Sequence, residues 1–361
     1  MVAVAEKLST IKPNTAFHLP SLDGIRGVAA LIVFVSHCGL EELVPGGFGV
    51  TVFFFLSGFL ITVLLRTEYE NTARISLKRF YLRRIYRIFP PMYIVLCVLL
   101  TPFVLGRTHA IITTGGLIAQ FAQLTNYYVI LHGVHAIVPA TAGMWSLAVE
   151  EHFYLLYPIG LILAFKRWNY RQIVMGLMCI CALILAWRCA SAIIFGFSDD
   201  YRYTATECRI DSLLFGCMLA LLVDPLRDSG LLSEKRAPWV LVISILILVF
   251  TIVDRDPVFR FTFRYTVQGL ALMPIFYCAV RFHHWFCFRW LGTKPLVWMG
   301  LISYTFYLIH VKALAIVSRY VPANTLSWAL GGFALSLLFS ALMYVLIEKH
   351  LATLRRRLHK A

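Results

Sequence analysis

Residues 22–37 read LDGIRGVAALIVFVSH, an apolar segment with Arg26 near one end and His37 at the other. The two positions are eleven residues apart, so in an α-helix they share one face and lie about 16 Å apart along the axis. Ionisable groups inside a membrane segment are costly and usually line a cavity or a substrate path. The pair therefore predicts a site for a long anionic ligand that is held at its head by Arg26 and reacts at its tail near His37.

The rest of the chain has the composition of a membrane protein. Of its 361 residues, 60% are hydrophobic and 14% are charged, whereas a soluble domain has roughly 25% charged residues. The net charge is +15, but most of the 33 lysines and arginines fall in short loops between apolar segments, as the positive-inside rule requires. This distribution argues against nucleic acid as a partner. The nine cysteines form no C-x-x-C pair, which argues against a zinc site.

The apolar segments predict an all-α, polytopic membrane protein with about ten transmembrane helices. The predicted spans are residues 26–41, 48–65, 85–105, 144–165, 173–196, 209–223, 238–253, 265–282, 297–319 and 326–347. An eleventh span at 111–131 would move Lys166, Arg167, Arg171 and the arginines at 355–357 to the outer face, against the positive-inside rule. Residues 106–143 are therefore expected to be extracytoplasmic, with a re-entrant part that covers a site.

This topology divides the chain into three parts with both termini in the cytoplasm. Residues 1–24 form an N-terminal tail, residues 25–347 form the transmembrane domain, and residues 348–361 form a basic tail.

Two adjacent carboxylates lie in MWSLAVEEHFYLLYP (144–158), at the outer end of the fourth span. Neighbouring helical side chains point about 100° apart, so at most one of Glu150 and Glu151 can share a narrow cavity with His37. A carboxylate that faces an imidazole fixes its tautomer and raises its basicity, as in sites that activate hydroxyls. Glu150 is the candidate for this role. Alternatively, both glutamates lie in the interface, and His37 is a structural histidine bonded to a backbone carbonyl.

Further polar and aromatic residues in the outer half of the predicted site suit a sugar ring. The substrate-binding candidates are Trp145, Asn126, Tyr127, Arg209, Asp211, Tyr307 and His310. Arg209 and Asp211 could instead form a structural network, with each other or with Glu150. Tyr307 and His310 have the spacing of residues that hydrogen-bond between membrane helices.

Five segments together resemble successive motifs of acyltransferase family 3, the integral-membrane acyltransferases. They are residues 22–37, 46–62, 78–93, 144–158 and 302–310, and the resemblance runs from about residue 20 to residue 347. It implies an acyltransferase domain of ten helices in a bacterial inner membrane. The implied reaction transfers an acyl group, usually acetyl, from cytoplasmic acyl-CoA (acetyl-CoA) to a carbohydrate hydroxyl. The expected partners are acetyl-CoA, a glycan acceptor and membrane lipid, without a metal, and the oligomeric state stays open.

The resemblance also implies roles for individual residues. Arg26 and His37 match an Arg-x10-His pair, in which His37 is catalytic and Arg26 contacts the phosphate end of CoA. Arg79, Arg83 and Arg84 match a cytoplasmic arginine motif that binds the donor. Such a motif suits phosphates, which arginine binds bidentately, although anchoring at the cytoplasmic face is the alternative.

On the acceptor side, the resemblance makes Glu150 the carboxylate of a W-S-L-x-V-E motif and Arg209 with Asp211 a polar pair. His37 is then expected to remove the proton of the hydroxyl, oriented by Glu150, or to attack the thioester itself. The rival function is a transporter or flippase for an anionic or acylated glycolipid, because buried Arg, His and Glu residues also form proton relays. A scaffold subunit would leave the charges of Arg26, His37 and Glu150 unexplained.

Overall fold

The computed structural model describes residues 19–107, 111–223 and 232–360, with side chains as far as Arg355. Within these ranges the chain is helical and forms no β-strand, which confirms the predicted all-α class. Most of the predicted N-terminal tail, residues 1–18, lies outside the described part.

The described ranges contain seventeen α-helices. In chain order they are α1 (Pro20–Val35), α2 (Gly46–Thr72), α3 (Leu77–Val104), α4 (Thr114–Phe121), α5 (Thr125–His132), α6 (Met144–Phe165), α7 (Tyr170–Ile193), α8 (Asp199–Thr204), α9 (Thr206–Arg209), α10 (Asp211–Leu222), α11 (Ala237–Val253), α12 (Pro257–Phe261), α13 (Arg264–Arg281), α14 (Phe286–Arg289), α15 (Lys294–Val317), α16 (Leu326–Met343) and α17 (Lys349–Lys360). A π-helical turn, Ser36–Leu40, extends α1, and a second one, Tyr344–Glu348, joins α16 to α17.

Seven helical segments in the described ranges are long and apolar enough to cross a membrane: α1, α2, α3, α6, α7, α15, and α16 with its continuation. The protein is therefore a multi-pass membrane protein. The other three predicted spans coincide with α10, α11 and α13, of which α10 and α11 have 12 and 17 residues and α13 is less apolar. A total of ten spans stays a prediction.

The region predicted to be re-entrant consists of the short helices α4 and α5 and a 3-10 turn at Val134–Ala136. The side chain of Gln120 secures the returning chain, because its Nε2 donates to Thr141 Oγ1 at 2.6 Å and its Oε1 accepts from Val138 N at 3.1 Å. This region packs on the protein through buried polar groups. Its depth in the membrane stays a prediction.

Close backbone approaches bring the site-bearing helices together. A Cβ on Gly300 of α15 would lie 1.9 Å from the carbonyl oxygen of Asp23 in α1. A Cβ on Gly58 of α2 would lie equally near the carbonyl oxygen of Leu213 in α10, also at 1.9 Å. Small residues at such crossings let membrane helices pack backbone to backbone. These two crossings pack α15 closely against α1 and α2 closely against α10.

Candidate active site

A cavity of about 370 Å³ lies among α1, α2, α3, α6, α15 and the C-terminal helices. Its charged end is lined by side chains from three separated stretches of sequence: Asp23, Arg26, Arg84, Arg87, Glu348 and Arg355. Farther along, the wall carries hydroxyls and one carboxylate: Ser57, Ser146, Glu150, Tyr154, Tyr304 and Tyr307. Leucine, isoleucine, valine and phenylalanine side chains line the remainder. The arrangement suits a ligand with an anionic head and a long, mostly apolar arm.

Arg26 and Arg84 present guanidinium groups to the charged end. Nη1 of Arg26 lies 3.3 Å from Oδ1 of Asp23, one helical turn earlier. The guanidinium of Arg84 lies over the rings of Phe80 and Tyr154, at 5.9 and 5.5 Å from their centroids. Nε of Arg84 is buried and has no hydrogen-bond partner among the described residues. Because a buried donor without a partner is costly, this atom is suited to an anionic ligand.

The predicted arginine motif divides between two places. Arg84 and Arg87 line the cavity, whereas Arg79 and Arg83 do not. Both of these contact the carboxylate of Glu68 near the end of α2, at 3.7 and 3.4 Å. Neighbouring side chains on α3 point about 100° apart, which is why Arg84 faces the cavity while Arg83 faces Glu68.

Glu150 lines the cavity and Glu151 does not. Ser57 Oγ donates to Oε1 of Glu150 at 2.8 Å. Oε1 of Glu151 is buried and has no partner within the described ranges. No hydrogen bond in the described chain joins Glu150 to His37, so the expected carboxylate–imidazole contact is absent from this arrangement.

The imidazole of His37 contacts a second histidine instead. Its Nδ1 lies 2.8 Å from the carbonyl oxygen of Val33 and 3.4 Å from Nε2 of His310. Nδ1 of the buried His310 lies 2.7 Å from the carbonyl oxygen of Tyr307. Because a carbonyl oxygen only accepts, these contacts assign a proton to Nδ1 of each neutral ring. His310 Nε2 then accepts from His37 Nδ1–H, and His37 Nε2 is left as the basic atom.

His37 lies in the π-helical turn that ends the first span, and its side chain is exposed. Gly39 in the same turn has a φ of 80°, a left-handed conformation that glycine adopts readily. The turn widens the helix where the imidazole emerges, so Nε2 can be reached by a ligand.

Tyr307 separates the cavity from the histidine pair. Its hydroxyl donates to the carbonyl oxygen of Gly143 at 3.0 Å and lies 2.9 Å from Ser146 Oγ. Neither His37 nor His310 lines the cavity. The ring of His310 lies 5.8 Å from that of Tyr307 and 5.0 Å from that of His37, between centroids. The cavity thus ends two side chains from His37.

Arg209 and Asp211 are fully buried and do not pair with each other. The guanidinium of Arg209 lies over the rings of Tyr265 and Trp145, at 3.8 and 5.4 Å. Asp211 forms an ion pair of 2.8 Å with Arg188 of α7. Residues two positions apart on a helix point about 200° apart, which explains why the alternative of a mutual pair is wrong. Trp145 is likewise buried.

Asn126 and Tyr127 hold α5 against α9. Nδ2 of Asn126 donates to Thr206 Oγ1 at 3.0 Å, and the Tyr127 hydroxyl donates to Oε2 of Glu207 at 2.6 Å. Burial, together with this bond to Glu207, raises the pKa of Tyr127 to about 12. Neither residue lines the cavity.

Several cavity residues lay outside the set predicted from sequence. Glu348 and Arg355 belong to the predicted cytoplasmic tail, but the chain continues as a helix through Lys360 and both side chains line the cavity. Their charge next to the last apolar segment was the only feature of the sequence that could have identified them as site residues. Ser57, a small polar residue in an apolar run, gives an even weaker indication of this kind. Within the described ranges, no group of three or more His, Cys, Asp or Glu residues could hold a metal ion.

Comparisons with known proteins assign the family. The acyltransferase 3 family model, described as an acyltransferase domain, matches residues 19–345. The O-acetyltransferase OatA of Staphylococcus aureus (strain NCTC 8325 / PS 47) is 31% identical over 317 residues, covering 84% of this chain and 52% of that protein. The peptidoglycan O-acetyltransferase OatA of Listeria monocytogenes is 29% identical over 316 residues, covering 83% of this chain and 50% of that protein. No solved structure matches the chain.

The chain spans about half the length of the curated relatives it matches. The family match covers nearly the whole described chain and confirms the resemblance carried by the five sequence motifs. The all-helical, membrane-spanning architecture agrees with it. The chain belongs to the acyltransferase 3 family.

Proposed function

We propose that this chain is a membrane O-acyltransferase that moves an acyl group, acetyl in the first instance, from cytoplasmic acyl-CoA to a hydroxyl of an extracytoplasmic or lipid-linked glycan. The observation that carries the proposal is a cavity with four arginines at one end whose other end approaches the pair of His37 and His310. The membrane is a bacterial inner membrane, with both termini in the cytoplasm.

The charged end of the cavity suits the phosphates of the donor. Arg26, Arg84, Arg87 and Arg355 surround it, and a hydrogen bond to a charged group contributes about 1.5–3 kcal/mol. The unpartnered Nε of Arg84 gains such a bond when an anion binds. The apolar walls beyond it suit the pantetheine arm, which brings the thioester toward Tyr307.

Activation of the acceptor is assigned to His37. Its basic Nε2 takes the hydroxyl proton, the alkoxide oxygen attacks the thioester carbonyl, and the carbon–sulfur bond breaks. The proton on His37 then passes to the leaving thiolate. His310 acts as a positioning residue, because its Nε2 accepts the proton that His37 carries on Nδ1. In the alternative route, Nε2 of His37 attacks the thioester first and the hydroxyl attacks second.

Since Tyr307 separates the histidines from the cavity that we assign to the thioester arm, this route requires the Tyr307 side chain to move. Its hydroxyl exchanges its bonds to Gly143 and Ser146 for others when it does so. Glu150, held by Ser57, then borders the path of the arm on the cavity side.

The acceptor class is supported by the relatives. One of them is named a peptidoglycan O-acetyltransferase, so a cell-wall glycan is the first acceptor to examine. Glycans from a deletion strain are compared by mass spectrometry with those from the same strain complemented by the wild type or by His37→Ala. We expect sugars to lose acetyl groups in the deletion strain and to regain them only with the wild type. An unchanged glycan profile, with an acyl group missing from a protein or a small metabolite, would overturn the proposal.

A further inference from the structure

A second cavity, of about 460 Å³, lies between α6 and α7 beside the start of α10. No described residue lines both this cavity and the one at the candidate active site. Leu156 and Ile180 on its walls are 63% and 45% exposed, so the cavity opens at the surface as a groove. Because α6 and α7 are both long and apolar enough to cross a membrane, this α6–α7 groove opens toward the lipid.

Two glycines keep the α6–α7 groove open, one on each wall. Gly160 of α6 and Gly176 of α7 both line it, and a Cβ built on either would meet no atom of the described protein within 4 Å. Glycine is less favourable than alanine inside a helix, and neither of these glycines serves a close contact between helices. The space that they leave is therefore available to a ligand.

The described walls of the groove offer a ligand few free polar groups. The Tyr157 hydroxyl lies 2.7 Å from Thr62 Oγ1 in α2. Oε1 of Gln172 accepts a hydrogen bond from the backbone N–H of Asn169 at 3.0 Å. The other side chains of the lining are aliphatic or aromatic. Since an apolar space of this kind does not hold water well, a hydrocarbon chain is the ligand that fits it.

The length of the groove matches one leaflet of a bilayer. Its lining on α6 extends from Phe153 to Ala164, which is about 16 Å along the helix axis. The hydrocarbon core of a bilayer is about 30 Å thick, so one leaflet contributes about 15 Å. An acyl chain of a phospholipid can therefore lie along the whole groove.

Three cations lie at the end of the groove where α6 connects to α7. Trp168 and Gln172 line this end, and their neighbours in the chain are Lys166, Arg167 and Arg171. The three cationic side chains are exposed, and none of them forms an ion pair within the described ranges. Basic pockets between membrane helices bind the head groups of anionic lipids, and tryptophan favours the same interface.

We propose that the α6–α7 groove binds one anionic phospholipid of the cytoplasmic leaflet, with an acyl chain in the groove and the phosphate at Lys166, Arg167 and Arg171. A second copy of the chain is a poorer occupant, because a two-fold contact through this face in one membrane would bring the same three cations of both copies together. The site is separate from the candidate active site and does not depend on the proposed function.

Native mass spectrometry of the purified protein in a mild detergent measures lipid binding directly. Palmitoyl-oleoyl phosphatidylglycerol is the anionic probe, and palmitoyl-oleoyl phosphatidylcholine, which has the same acyl chains, is the zwitterionic probe. We expect one phosphatidylglycerol per protein to bind about tenfold more tightly than phosphatidylcholine, because each cation near the head group favours an anionic lipid.

Gly176→Leu fills the groove and is expected to weaken binding of both probes about tenfold or more, because the acyl chain loses its apolar contacts. Gly160→Leu fills the groove from the other wall and serves if Gly176→Leu does not fold, which circular dichroism of each variant decides. Gly292→Leu is the matched control, at an exposed glycine that also has open space around it. It should change neither Kd by more than about twofold.

The double variant Arg167→Gln/Arg171→Gln is expected to lower the preference for phosphatidylglycerol to about twofold or less, while the Kd of phosphatidylcholine changes by no more than about twofold. Lys294→Gln is the matched control for charge, at an exposed lysine that begins α15 and does not line the groove. It should keep the preference of the wild type.

Equal binding of the two probes by the wild type would overturn the anionic head-group site. Unchanged lipid binding in both glycine variants would overturn the groove as the binding site. A loss of preference in Lys294→Gln as large as in the double arginine variant would also overturn the proposal, since the surface charge would then act as a whole. A lipid-free dimer of the wild type that Gly176→Leu abolishes would assign the groove to a second copy of the chain instead.

Discussion

Replacing Asp211 by Asn is expected to destabilise the protein rather than to act on acceptor binding directly. The Asp211 carboxylate lies 2.8 Å from Nη2 of Arg188, and both side chains are fully buried. Asn keeps the shape of the side chain but removes its charge, which leaves the guanidinium as a buried, uncompensated cation. Breaking one side of such a pair lowers the free energy of unfolding by about 3–5 kcal/mol. The Thr266 hydroxyl, which donates to Asp211 at 3.1 Å, is neutral and cannot replace the lost charge.

The assay titrates SDS into dodecylmaltoside micelles that hold each purified variant and follows helix content by circular dichroism. Asp200→Asn, at an exposed carboxylate, is the matched control and should change the free energy of unfolding by no more than about 0.5 kcal/mol. The double variant Arg188→Met/Asp211→Leu removes both charges and should regain most of the lost stability. Wild-type stability in Asp211→Asn, together with weakened acceptor binding, would refute this reasoning and return Asp211 to the substrate-binding residues.

Three further predictions test the site and the topology. Arg84→Leu should raise the Kd of acetyl-CoA about tenfold or more because it removes a charged donor from the cavity, whereas Arg79→Leu should change that Kd by no more than about twofold. Equilibrium binding measures both Kd values, and equal effects would contradict the division of the arginine motif between the cavity and Glu68. His310→Gln, which keeps a hydrogen-bonding group, should retain a larger fraction of the wild-type kcat than His310→Phe, with little change in KM for acetyl-CoA in either variant. Initial rates measure both constants, and equal kcat values in the two variants would contradict a positioning role for His310. A cysteine placed in 133–142 of a cysteine-free background should react with an impermeant thiol reagent outside intact cells, while one in 168–170 should not. The opposite labelling would restore the eleventh helix.

The helices were largely predictable, whereas the donor side of the site was predictable only in part. Long apolar runs in a membrane chain can only be helices when the chain forms no barrel. Arg26 stood out as a charge within such a run, and Arg84 was predicted together with Arg79 and Arg83 from the family resemblance. Arg84, unlike Arg83, lines the cavity. That distinction depends on the position of Glu68 in the neighbouring helix, which no local pattern reveals.

The surroundings of His37 were not predictable from the first span alone. Its neighbour His310 comes from α15, and the contact depends on a π-helical turn that contains Gly39. The sequence instead suggested Glu150 as the partner of His37, but Glu150 accepts a hydrogen bond from Ser57 on the cavity side. Pairings between distant segments follow from helix packing, which a periodic pattern does not encode.

The same limit applies to buried charges. The partner of Asp211 is Arg188, which lies in a different helix. A basic residue within an apolar segment indicates that some partner exists, but its identity depends on how α7 and α10 pack.

The most direct test of the account is transfer of labelled acetyl from acetyl-CoA to a cell-wall glycan by purified protein in micelles. Wild type is compared with His37→Ala and with His135→Ala, which replaces an exposed histidine outside the site. The account predicts transfer by the wild type and by His135→Ala, and a loss of about a hundredfold or more in His37→Ala, since general-base catalysis contributes at least that factor. Transfer by His37→Ala at more than about a tenth of the wild-type rate, from a variant that folds normally, would contradict a catalytic His37.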